Sequence, residues 1–339
     1  MTVRAYISGC AGTELKPEER ALFADAPPWG LILFLRNCES PEQIEALVAS
    51  FRELVGRVDA PVLIDQEGGR VQRLRPPLAP NYPPAARFGA LHGLDAQAGI
   101  AAARLGARLI GADLAALGIN VDCLPVLDLG LPVTHKVIGD RAYGGDMATV
   151  ITLGRAVCEG LLSAGVLPVI KHIPGHGRAM ADSHLELPVV ATPAAELAAT
   201  DFVPFAALAD MPLAMTAHVV YSALDAERPA TTSPTVISEI IRGHIGFSGL
   251  LMSDDLSMKA LAGSFAARTE AAIAAGCDVV LHCNGEFDEM AEVAAAAPAL
   301  SGEAERRANA ALQLLAEPDQ AFDEVAARLE FESLFAALA

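Results

Sequence analysis

GLILFL, residues 30 to 35, contains no polar side chain. A strand with one face in water alternates apolar and polar residues, so a run that is apolar on both faces belongs between two layers of protein. DVVL, which opens the run DVVLHCN (278–284), has the same character. Six further β-rich runs complete the series: AYISGC (5–10), PVLIDQEGG (61–69), INVDCLPVLDL (119–129), VLPVIKH (166–172), LAMTAHVV (213–220) and GLLMSDD (249–255). Between them lie alanine- and leucine-rich stretches with helical spacing, at about 41–55, 96–117, 146–164, 194–209, 234–244 and 263–275. Eight β/α units without a composition break predict an α/β fold, a single (β/α)8 TIM-type barrel over residues 1–339. Residues 286–339 are expected as extra C-terminal helices packed on it. A doubly wound open sheet is the alternative, but the glycine fingerprint GxGxxG after the first strand is missing.

The whole chain agrees with a folded enzyme-sized protein. It has 339 residues, 53% hydrophobic and 19% charged, enough to bury a large core. A formal net charge of -18 repels phosphate backbones and anionic lipid surfaces, so neither nucleic acid nor membrane is expected as a partner. Cys10, Cys38, Cys123, Cys158, Cys277 and Cys283 are scattered without a CxxC pair. Reduced thiols packed as small apolar groups are therefore expected, and no zinc ribbon. The first twenty residues turn polar after about ten and lack the apolar core of a secretory leader. No long apolar run marks a membrane span. The expected location is the cytoplasm, and oligomeric state is not legible.

A parallel barrel gathers its chemistry at the C-terminal ends of its strands. Those ends carry Asp65, Asp122, Asp128, Lys171, His172, His218, Asp254 and Asn284. A lone acid there is usually a turn or helix cap, but recurrence on at least six of eight strands points to a ligand. Carboxylates accept hydroxyl hydrogens, while lysine and asparagine donate to ring and hydroxyl oxygens, so a carbohydrate is the expected small-molecule partner.

Three motifs, LIDQEGGRVQRL, KHIPGHGRAMADSHLELP and MSDDLSM, come in the order found in glycoside hydrolase family 3, and the chain resembles its bacterial β-N-acetylhexosaminidase branch from about Ile7 to Asn284. The resemblance implies a metal- and cofactor-free exo-acting hydrolase. It would release terminal β-linked N-acetylglucosamine with retention from peptidoglycan fragments, in cell-wall recycling. It implies Asp254 as the nucleophile that forms a glycosyl-enzyme. Most retaining glycosidases use a second carboxyl group as acid/base; here the resemblance gives that role to His184, with Asp182 as its dyad partner. Imidazole titrates near neutrality and suits both proton transfers. Asp65, Arg73, Arg141, Lys171 and His172 are implied as the groups that bind sugar. Asp255 is read as structural, because neighbours on a strand face opposite ways. Gly175, Gly177 and Pro174 would give the loop before His184 unusual backbone angles and let it close as a lid.

Other readings stand beside this one. His172, His176, Asp182 and His184 offer ligands for zinc, although Pro174, Gly175 and Gly177 break the helix that gives HExxH its geometry. A sugar-binding protein would keep Asp65, Arg73, Lys171 and His172 without needing Asp182, His184 and Asp254. A family 3 β-glucosidase or phosphorylase is also compatible. His176 is placed as a loop-shaping residue, and His218 and Asn284 as candidates for the pocket wall. Ile173 stands where family members often have phenylalanine, and the second domain of larger members is not expected.

Overall fold

The structure is a computed structural model that describes residues 2–183, 185–315 and 321–336. Eight parallel strands close a barrel in chain order: Arg4–Ser8, Pro28–Leu33, Val62–Ile64, Val121–Asp122, Leu167–Ile173, Leu213–Thr216, Leu250–Asp255 and Val279–His282. The eighth returns to the first with Tyr6 opposite Val280. The predicted barrel is therefore the fold.

The opening run explains its own composition. Ile32 points into the barrel interior with Leu63, Val169, Met215, Met252 and Leu281. Leu31 and Leu33 point outward and join the layer beneath the helices. All three are buried, and each such burial contributes about 1.5–3 kcal/mol. Continuing the same two-residue alternation past the interior layer reaches Phe34, Asp65, Lys171, Asp254 and Cys283. The period that builds the core thus delivers aromatic, charged and thiol side chains to one mouth.

The helix Pro41–Val55 shows how the outer layer is specified. Ser40 accepts the amide hydrogen of Gln43, Pro41 occupies the first turn, and Gly56 ends the helix at φ 66°. Ile44, Leu47, Val48, Phe51 and Val55 form its buried stripe. Three expectations need correction. The segment 194–209 is two helices, Ala194–Ala199 and Val203–Ala207, because Pro204 has no N–H to continue the ladder from Thr200. The run 119–129 pairs regularly only at Val121–Asp122, since Pro125 cannot donate to a neighbouring strand. Val220 leaves the barrel and pairs with Val189 in a two-stranded sheet. Helices Pro17–Asp25 and Ala85–Leu94 were not expected. The first has a low apolar content and the second hides behind the proline-rich segment 76–84.

After the eighth strand come helices Phe287–Ala296, Gly302–Leu312 and Glu324–Leu334. Arg307 holds the second of them to Asp278 at 2.7 Å, and Phe331 of the third packs where Gly106 leaves room. No helix among the described residues is long and apolar enough to cross a membrane. All six cysteines are free.

Candidate active site

A cavity of about 320 Å³ opens at the C-terminal ends of the strands, at the small end of the range of about 300–1,000 Å³ for ligand sites. Asp65, Arg73, Arg141, Lys171, His172, His176, Ser183 and Asp254 border it, together with Phe34, Met215, Met258 and Cys283. The expected sugar-binding residues are thus brought together around one space.

Five of the charges form a chain. Arg73 donates to Oδ2 of Asp65 at 2.9 Å, and Lys171 Nζ donates to Oδ1 at 2.8 Å. The same ammonium lies 2.7 Å from Oε1 of Glu67. Arg141 grips Glu67 with two parallel donors, both at 2.8 Å, the fork geometry that matches a carboxylate. Burial alone would raise the pKa of both carboxyls, but the cations win. Lys171 and Arg73 hold Asp65 well below the usual carboxylate range, and Arg141 and Lys171 hold Glu67 at about 2. The carboxylates in turn keep the Lys171 ammonium charged despite its burial. The result is a rigid wall with fixed donors and acceptors, already ionised and already oriented.

Glu67 had no role in the sequence reading, although it sits inside the quoted LIDQEGG motif, two residues after Asp65. Gln66 holds that segment in place: its side-chain oxygen accepts from the amides of Arg73 and Leu74, and its amide group donates to the Leu74 carbonyl. Arg70 ties the neighbouring loop by donating to the carbonyls of Lys136, Val137 and Ile138 and to Asp140. Phe34 was also missed. The guanidinium carbons of Arg73 and Arg36 lie 5.0 and 5.1 Å from its ring centroid, within cation–π range.

On another part of the rim, Asp254 is the penultimate residue of the seventh strand. Its Oδ1 accepts the amide hydrogen of Asp255 at 2.8 Å, and its own amide donates to Thr216 at 3.3 Å. Asp255 also borders the cavity, which corrects the expectation that the two would not share a pocket. Its carboxylate is engaged by Ser257 and by the amide of Cys283, so it caps the loop. His218 and Asn284 do not border the cavity. His218 is buried between Thr231 and the Asp255 carbonyl, and Asn284 bonds Glu289 and the amide of Glu286.

The Lys171–His172 peptide is cis. His172 places Nδ1 2.6 Å from Oδ2 of Asp128, and its ring meets that of His176 edge-on at 5.7 Å. Burial pushes the His176 pKa down to about 4, so this ring is neutral at physiological pH. Gly175 has φ 137°, as the expected unusual backbone demands. Gly177 serves a different purpose: a Cβ there would lie 2.3 Å from the Leu129 carbonyl oxygen. Farther along, Arg178 donates to Asp201 at 2.7 Å and lies 2.8 Å from Glu196. Asp182 is half-buried, and its carbonyl accepts from Leu185 and Glu186. His184, the expected acid/base, lies outside the described residues. Among the described residues no group of three or more His, Cys, Asp or Glu side chains is gathered as a metal site.

The sequence profile described as Glycosyl hydrolase family 3 N terminal domain matches residues 7–316. A beta-hexosaminidase from Alkalilimnicola ehrlichii is 42% identical over 289 residues, covering 84% of this chain and 82% of that protein. Among solved structures, native NagZ from Neisseria gonorrhoeae superposes with a TM-score of 0.88 at 32% identity, covering 98% of both chains. The same protein in complex with N-trifluoroacetyl-D-glucosamine gives a TM-score of 0.83 at 31% identity, again over 98% of both.

Proposed function

The chain belongs to glycosyl hydrolase family 3 and is a glycoside hydrolase of the β-hexosaminidase type, and from that premise we propose that it releases terminal β-linked N-acetylglucosamine from peptidoglycan fragments in the cytoplasm, with retention. The observation that carries this reading is the placement of Asp254 on the same small cavity as Arg73, Asp65, Lys171 and Arg141, the last two joined through Glu67. One carboxylate is aimed from a strand end, and a set of fixed donors and acceptors suits several hydroxyls. The glucosamine derivative bound by the Neisseria relative supports an amino sugar as the occupant.

In this mechanism Asp254 attacks C1 as the bond from C1 to the leaving oxygen breaks, and His184 gives that oxygen a proton. The products of the first step are the freed aglycone and a glycosyl ester of Asp254. His184, now neutral, takes a proton from water, whose oxygen bonds to C1 and frees the carboxylate. Asp182 orients the ring and stabilises imidazolium, as the carboxylate does in a serine hydrolase triad. Asp65, Arg73, Arg141, Lys171 and His172 hold the sugar so that these groups meet one carbon. The barrel with its C-terminal helices acts as one catalytic unit.

The test is a fluorinated glycosyl donor of the 2-deoxy-2-fluoro or 5-fluoro type, followed by mass mapping. Label on the peptide carrying Asp254, together with nitrophenol release from 4-nitrophenyl N-acetyl-β-glucosaminide that Asp254→Asn abolishes, is the expected outcome. A wild-type enzyme silent on that substrate but active on the glucoside, or one that forms glycosyl phosphate, would replace the reading with its glucosidase or phosphorylase alternative.

A further inference from the structure

Asp128 is completely buried, yet among the described residues its side-chain hydrogen bonds all lead to the active-site wall. Its Oδ1 accepts the backbone N–H of His172 at 3.2 Å and of His176 at 2.7 Å. Its Oδ2 lies 2.6 Å from Nδ1 of His172. Burial would raise its pKa, but the hydrogen bonds from the His172 ring and the His176 backbone help to keep it below the ordinary carboxylate value. An ionised carboxylate offers only lone pairs, so the hydrogen in this contact belongs to Nδ1.

That assignment fixes the other side of the ring. In a neutral imidazole one nitrogen donates and the other accepts. In the neutral form of this ring, Nδ1–H on Asp128 leaves the lone pair on Nε2, and the ring borders the cavity. We propose that Asp128 is a positioning residue for the glycosidase reaction: it locks His172 in the Nδ1–H form, so that Nε2 accepts a hydrogen bond from a sugar hydroxyl, and it fastens that ring to the root of the loop leading to Asp182. The proposal rests on the sugar-site reading of this cavity.

The two amide bonds supply the second half of the role. His172 and His176 bracket the turn through Pro174 and Gly175, and one carboxylate oxygen holds both ends. The loop that continues through Gly177 and Arg178 therefore starts from a point fixed relative to the ring. Asparagine can keep its oxygen on the two amides, but it then turns an NH2 group toward Nδ1. The histidine must answer with the opposite tautomer, and its lone pair on Nε2 is lost.

The experiment uses full-length protein labelled with 15N in its histidines. Long-range proton–nitrogen correlation spectra report which ring nitrogen carries hydrogen, with His172→Ala assigning the signals. The expected wild-type pattern is Nδ1–H with an unprotonated Nε2, inverted in Asp128→Asn. With 4-nitrophenyl N-acetyl-β-glucosaminide, Asp128→Asn should lose about 10- to 100-fold in kcat/KM, the range for removing the partner of an oriented imidazole. In a His172→Ala background the same change should add little. Wild-type His172 in the Nε2–H form, or doubly protonated at pH 7.5, overturns the proposal, and this holds even if Asp128→Asn fails to fold. So does a variant that is less stable with its tautomer unchanged, or one whose loss multiplies fully in the His172→Ala background. A wild-type enzyme with the Nδ1–H ring but no hydrolysis overturns the sugar-site reading and the role built on it.

Discussion

The ammonium of Lys171 lies 2.7 Å from a carboxylate oxygen of Glu67, with both side chains almost out of reach of solvent. Glu67 is the anion shared by Lys171 and Arg141, so its loss takes the paired carboxylate from Arg141 and leaves Lys171 only Asp65, which Arg73 already holds. Removing one partner of a buried pair costs about 3–5 kcal/mol. Glu67→Gln keeps the size and one acceptor, and about 2–3 kcal/mol is expected for it by the same reasoning. Urea unfolding at pH 7 measures the loss, and kcat/KM should drop at least tenfold because Arg141 and Lys171 lose their fixed positions. The acid limb carries the same signature. Glu67 has a folded pKa of about 2 against an ordinary value of 4.5. Its contribution is therefore complete above pH 4.5 and fades as pH falls toward 2. The glutamine variant should lack that part of the acid slope; an unchanged slope would show that the pair does not matter.

Asp122 predicts a pH dependence of opposite sign. It is fully buried, its Oδ1 accepts the Gln66 amide hydrogen at 3.0 Å, and its Oδ2 has no hydrogen-bond partner among the described residues. Burial pushes its pKa up to about 8 from 3.8. A raised folded pKa means a contribution that is present below pH 3.8 and lost as pH rises through 8. Asp122→Asn cannot ionise. The stability of the variant relative to wild type should therefore grow from pH 4 to pH 8, by at most about 1.4 kcal/mol per unit, and level off above. A difference that stays flat over this range contradicts the burial argument.

Much of the site was legible because a strand's period is fixed. Once GLILFL and its seven counterparts are placed in a barrel, counting by two from the interior leads to Asp65, Lys171 and Asp254 without further information. The family resemblance added Arg73 and Arg141, which sit in loops where no period applies. Glu67 was hidden by the hairpin that follows Asp65, since Gln66–Gly68 turns back on Val71–Gln72 and the barrel alternation stops there. Asp128 was seen as a strand-end acid, but its target depends on how the fourth and fifth strands are staggered, which only three dimensions supply. His218 and Asn284 looked equivalent to the others in sequence. The local partners Thr231 and Glu289 drew them away.

Phe34 gives a prediction on substrate affinity. Its ring borders the cavity and lies 5.0 Å from the guanidinium carbon of Arg73, the arginine that holds Asp65. A cation–π contact at a partly exposed site contributes about 1 kcal/mol, which corresponds to roughly a fivefold change in an equilibrium constant. Phe34→Leu should raise KM by about that factor with kcat little changed, while Phe34→Tyr keeps the π-face and stays near wild type. Steady-state kinetics separate the two cases, and equal effects from both variants would point to packing in place of the ring's charge distribution.

Gly177 tests how tightly the loop's root must be held. Its missing side chain leaves space for the Leu129 backbone: an added Cβ would stand 2.3 Å from the carbonyl oxygen and 3.0 Å from the nitrogen. Backbone on both sides cannot yield as a flexible side chain does, so the loop itself must move. The Gly177 carbonyl also accepts a hydrogen bond from Thr134 at 2.6 Å, and the same hydroxyl reaches the Leu129 carbonyl at 3.1 Å, so a shift breaks a shared link. Gly177→Ala should cost about 1–3 kcal/mol, the usual range for forced overpacking. Asp182 is the fifth residue after this point, and a displaced root re-aims the proposed proton-transfer dyad. The expected kinetic result is a fall in kcat larger than any change in KM, measured beside an urea melt. A variant as stable and as active as wild type would mean that the loop tolerates a moved root, and that the close fit of Gly177 against Leu129 has no part in placing the acid.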